Sequence, residues 1–109
     1  TAATMDRADW QNGKQQVEEV EQALVEAFNR GVKPGSEEAN ALAERHRASL
    51  FFFEVTPAKH AILARGYVAD PRFKAHYEKL APGLAEWLRE VIYENARAHG
   101  VDPENAAWG

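Results

Sequence analysis

At 109 residues, 45% of them hydrophobic and 28% charged, the chain has the size and composition of one folded domain with a core, which excludes a disordered tail. It contains no cysteine, so disulfides, thiolate metal sites and thiol catalysis are excluded, as suits a reducing, cytoplasmic setting. A net charge of −4 argues against a domain that grips DNA by itself, and apolar runs of at most four residues argue against a membrane-spanning helix or a signal-peptide core.

Twenty alanines and apolar spacings of three and four predict an all-α fold of about five helices. The first is expected over about Asp6–Arg30, where Trp10, Val17, Val20, Leu24 and Phe28 form one stripe and Gly31 supplies the stop. Ser36 is a candidate N-cap for a second helix, with Glu37 and Glu38 favourably placed in its first turn. Ala39, Leu42 or Ala43, His46, Leu50 and Phe53 form its stripe, and Pro57 is expected to end it near Glu54. Thr56-Pro57 and Asp70-Pro71 each place a capping side chain before a proline at the first helical position, where the missing N–H does no harm. These two starts predict helices over about Pro57–Ala69 and Pro71–Leu80. A fifth is expected from near Pro82 to Gly100, with Leu84, Leu88, Val91, Ile92 and Asn95 or Ala96 facing inward. The tail Val101–Gly109 is either loose or docked through Trp108.

Three consecutive phenylalanines, Phe51, Phe52 and Phe53, span roughly 200° of helical arc, too wide for one flat interface. Either their helix is sandwiched between others, or one ring faces a groove. Four histidines invite a metal or haem reading, yet no two share the spacing that puts two ligands on one helix face. His46 reads most simply as a hydrogen-bonded, partly buried histidine; His60 is read the same way, with pocket hydrogen bonding as its alternative. Tyr67 and Phe73 flank the Asp70-Pro71-Arg72 corner, where Arg72 is expected to form a salt bridge or to meet a ligand's acidic or carbonyl group. The only serines, Ser36 and Ser49, lie in no nucleophile elbow, and no glycine-rich phosphate loop is present. No catalysis, cofactor or metal is expected.

The chain resembles the TipAS-type antibiotic-recognition domain found at the C-terminal end of certain MerR-family transcriptional activators. The resemblance is carried by Asp9-Trp10-Gln11, the His46-Arg47 pair and His60. Its strongest pieces are Tyr67-Val68-Ala69-Asp70-Pro71-Arg72-Phe73 and Pro82-Gly83-Leu84-Ala85, followed by Ile92 and Asn95-Ala96 in register. It implies a compact globin-like helical array with a cleft for bulky, largely apolar antibiotics such as thiopeptides. It implies further that DNA binding and homodimerisation belong to an upstream winged helix and coiled coil absent from these residues, leaving this domain a monomer. Thiopeptide-capturing members carry a loop cysteine at a place matching Val55, so capture here is expected to be reversible and non-covalent, or the ligand to differ. On this reading Phe51, Phe52, Phe53, Val55, Tyr67 and Phe73 supply the pocket wall and His60 a polar anchor.

Two readings from other classes remain at this point. One is a haem- or gas-binding globin relative with His46 or His60 as axial ligand. The other is a protein-interaction or structural domain, which predicts an exposed stripe on Trp10, Val17, Val20 and Leu24.

Overall fold

A computed structural model describes residues 7–50 and 54–106, with side chains from residue 11 onward. Five helices follow in chain order: α1 (Arg7–Asn29), α2 (Glu37–Ser49), α3 (Pro57–Ala69), α4 (Pro71–Leu80) and α5 (Leu84–Ala98). The described residues contain no strand. Helix α5 is central: α3 lies along it, α2 and α4 flank it, and α1 packs mainly on α2.

Small residues let these helices approach closely. Ala61 and Ala64 on α3, with Ala85 and Ala96 on α5, are essentially sealed from solvent in the same core cluster. Leu24, Leu84, Leu88 and Ile92 fill the space between and are fully buried, each contributing about 2 kcal/mol by leaving water. A smaller cluster of Ala39, Ala43 and Val91 joins α2 to α5. Trp87 closes its edge by donating from its indole nitrogen to the Val32 carbonyl at 2.9 Å.

The expected caps form as local chemistry dictates. Ser36 accepts from the Ala39 amide, Thr56 from that of Lys59 and Asp70 from that of Arg72, at 3.2, 3.2 and 2.9 Å. Two boundaries depart from expectation. Helix α2 ends at Ser49, not near Glu54: Leu50 turns out of the helix at ψ 75° and the Ser49 hydroxyl bonds back to the His46 carbonyl. Helix α5 starts at Leu84, after Gly83 takes the left-handed conformation at φ 89° with no side chain of its own to cap. The cap is supplied from α4, where the Glu78 carboxylate accepts from the amides of Gly83 and Ala85 at 3.0 and 3.2 Å. Beyond α5 the tail is docked: Pro103 is fully buried and its carbonyl accepts from Arg65 at 2.9 Å. Phe51–Phe53 and Trp108 lie outside the described residues.

Candidate functional site

The Asp70-Pro71 corner folds α4 back against α3 and opens a cleft beside it. Its volume is about 730 Å³, and Leu50, Leu63, Tyr67, Arg72, Phe73, His76 and Tyr77 line it. That volume falls within the range of small-molecule sites. The wall is an aromatic array in which Tyr67 meets Phe73 at 5.8 Å between centroids and Tyr77 at 4.9 Å, while Tyr77 meets His76 at 5.1 Å. Tyr67 and Tyr77 are anchored in the core, but Phe73 is 48% exposed, an unusual position for a large apolar ring. A second concavity of about 580 Å³ lies along α1, but Glu18, Glu21, Gln22, Glu26 and Asn29 dominate its lining. The aromatic cleft is therefore the site suited to an apolar guest.

Both basic groups at the cleft rim already have carboxylate partners. Arg72 bonds to Asp70 at 3.2 Å, the salt bridge expected of that corner. His76 Nε2 lies 2.6 Å from a Glu21 carboxylate oxygen, which ties α4 to α1. An anionic guest thus meets no unpaired arginine among the cleft-lining residues.

Behind the wall lies a buried polar layer. His46 Nδ1 and His60 Nε2 are 2.9 Å apart, and His46 Nε2 is 3.3 Å from the Tyr77 hydroxyl. Burial disfavours the charged imidazole and pushes His46 down to about 4 and His60 to about 2. Burial likewise pushes the Tyr67 phenol up to about 12. All these groups are neutral at physiological pH. A further polar cluster fixes the segment between α2 and α3. Glu44 accepts from Arg47 at 2.5 Å and from Asn95 at 2.7 Å, while Arg47 also donates to the Val55 carbonyl at 2.7 Å. The Arg47 guanidinium holds Glu44 down at about 2, despite partial burial that acts the other way.

The residues expected at the site are placed unevenly. Tyr67 and Phe73 line the cleft together. Val55 and His60 are buried and line no part of it, with His60 only 1% exposed and engaged by His46. His60 is therefore no cleft-facing anchor, because its ring is packed inside the core. Phe51, Phe52 and Phe53 lie outside the described residues. Leu50, Leu63, His76 and Tyr77 also line the cleft and were not expected there; the last two sit at i+3 and i+4 from Phe73, a spacing that could have placed them beside it. Neither His46 nor His60, the two axial-ligand candidates of the haem reading, lines the cleft. Among the described residues no group of three or more acidic or histidine side chains is placed to hold a metal.

Comparison with known proteins agrees with this architecture. The family model of the TipAS antibiotic-recognition domain matches residues 1–95. The HTH-type transcriptional regulator SkgA of Caulobacter vibrioides is 33% identical over 94 residues, covering 84% of this chain and 37% of the regulator. The HTH-type transcriptional activator TipA of Streptomyces coelicolor is 30% identical over 99 residues, covering 89% of this chain and 39% of the activator. The chain thus spans less than two-fifths of the length of these relatives. A solved structure of TipAS from Streptomyces lividans in complex with nosiheptide, a thiopeptide antibiotic, superposes with a TM-score of 0.80 at 30% identity. The match covers 91% of this chain and 71% of that one.

Proposed function

From the premise that the chain belongs to the TipAS antibiotic-recognition domain family, we propose that it is the ligand-sensing domain of a cytoplasmic, MerR-type transcriptional activator. It takes up bulky, largely apolar, uncharged antibiotics of the thiopeptide kind in the cleft between α3 and α4. The observation that carries this reading is the aromatic cleft of about 730 Å³ in a fold similar to the one that binds nosiheptide. Because the sequence has no cysteine, binding is reversible and forms no thioether.

In the full-length regulator, DNA binding and homodimerisation reside in the upstream part, and this domain is monomeric alone. Occupancy alters transcription only if the guest favours one state of that regulator over the other. The interaction-module reading required an exposed stripe on α1, but Val20 and Leu24 are buried in the core. The domain is a binding module, not an enzyme; its two serines serve backbone hydrogen bonds in and beside α2.

Calorimetric titration with nosiheptide tests the reading, followed by mass spectrometry of the denatured complex. The expected result is saturable binding with the free protein mass recovered. Absence of any binding tighter than about 1 mM contradicts it.

A further inference from the structure

Two imidazoles behind the cleft are joined to the two tyrosines of its wall. His46 is the junction: it bonds to His60 through Nδ1 at 2.9 Å, to Tyr77 through Nε2 at 3.3 Å, and packs edge-on against the Tyr67 ring at 5.8 Å. It thereby joins α2 to both helices that form the cleft, although it is only 2% exposed and lines no part of the cleft itself.

Since both rings are neutral, one of the two facing nitrogens donates and the other accepts. That choice fixes the remaining nitrogen of His46. If His60 Nε2–H donates, His46 accepts on Nδ1 and donates from Nε2–H to the Tyr77 oxygen. In the opposite arrangement the Tyr77 hydroxyl donates to a bare His46 Nε2. The Glu21 carboxylate is bonded to His76, whose ring meets that of Tyr77 at 5.1 Å, so this negative charge stands at the Tyr77 end of the series. Hydrogen-bond dipoles are favoured with their positive ends toward an anion, which favours donation from His60 to His46 and from His46 to Tyr77.

We propose that His46 is the positioning residue of the cleft: as an Nε2–H donor to Tyr77 it holds the Tyr77–Tyr67 wall in the orientation the guest packs against, without touching the guest. This rests on the cleft being the antibiotic site. The role suits a buried imidazole because the rings of Tyr67 and Tyr77 are shared between core and cleft, so a lost bond behind them disturbs the surface in front.

The test uses two readouts. Long-range proton–nitrogen correlation spectra of the wild-type domain at neutral pH are expected to show His46 as the neutral Nε2–H tautomer; the Nδ1–H tautomer overturns the proposal. Nosiheptide affinity is then compared in His46→Leu, which removes the polar bond, and His46→Gln, whose carboxamide restores a donor. His46→Leu is expected to weaken binding roughly tenfold while His46→Gln stays within about threefold of wild type. Wild-type affinity in a folded His46→Leu variant overturns the proposal. Should that variant not fold, Tyr77→Phe breaks the same bond from its other end, with the same loss expected and an unchanged affinity again contrary. If the wild-type domain does not bind nosiheptide, the functional reading fails, and the tyrosine ring resonances of the same variants decide the positioning role. Shifted Tyr67 and Tyr77 signals support it, and unmoved ones overturn it.

Discussion

At the scale of single residues, burial sets the chemistry of the histidines and makes the fold sensitive to acid. His46 is held at about 4 and His60 at about 2 in the folded state, against 6.5 when unfolded. Above about pH 6.5 both states are neutral and pH has no effect through these groups. Below it the unfolded chain binds the extra protons, so stability falls with pH by about 1 kcal/mol per unit for each histidine until its folded value is reached. Glu44, lowered from 4.5 to about 2, adds to the loss below about pH 4.5, because its carboxylate is stabilised only in the fold. Urea denaturation is therefore expected to show a midpoint that is flat from about pH 8 to 7 and drops steadily toward pH 5. A constant midpoint over that lower interval contradicts the neutral, buried pair. This pairing was not legible in the sequence. The apolar stripe of α2 pointed to His46 as a buried, hydrogen-bonded histidine, but its partner stands on another helix, and only the packing of α2 against α3 brings His60 to 2.9 Å.

At the scale of elements, what was legible is what local chemistry encodes. Thr56-Pro57 and Asp70-Pro71 announced the starts of α3 and α4 because cap and proline act within one turn. At the end of α2 Leu50 leaves the helix and the Ser49 hydroxyl returns to the His46 carbonyl, whereas apolar periodicity carried the helix several residues too far. The start of α5 is non-local, since Glu78 of α4 caps it. Two predictions follow from that junction. Gly83 sits at φ 89°, and a Cβ there would lie 3.4 Å from the Phe28 ring, so Gly83→Ala is expected to destabilise the domain by about 1–2 kcal/mol. Thermal unfolding checks this, and an unchanged midpoint contradicts it. Glu78→Gln leaves a neutral group at the helix start and is expected to lower the melting temperature. That loss should be smaller at acidic pH, where the wild-type carboxylate is also protonated.

At the scale of the whole molecule, the all-α array and the aromatic corner were both foreshadowed, the first by alanine content and periodicity, the second by Tyr67 and Phe73 around Asp70-Pro71. Leu50 was not, because it stands at the end of another helix, α2, and only tertiary packing brings it to the cleft; Leu63, His76 and Tyr77 lie three or four residues from Tyr67 or Phe73. The cleft keeps its shape through groups behind it, while Phe73 stands half in solvent with little to lose by truncation. Phe73→Ala is thus expected to weaken nosiheptide binding by roughly tenfold, as for an aromatic anchor at an interface, with a small effect on stability. Comparable losses of both would make Phe73 a packing residue. The most direct measurement is an amide NMR titration of the domain with nosiheptide, followed by dialysis. Saturable, reversible shifts centred on Leu63, Tyr67, Phe73 and Tyr77 are predicted. Shifts confined to the acidic groove at Glu18, Gln22 and Glu26, or no shifts at all, would contradict recognition in the aromatic cleft.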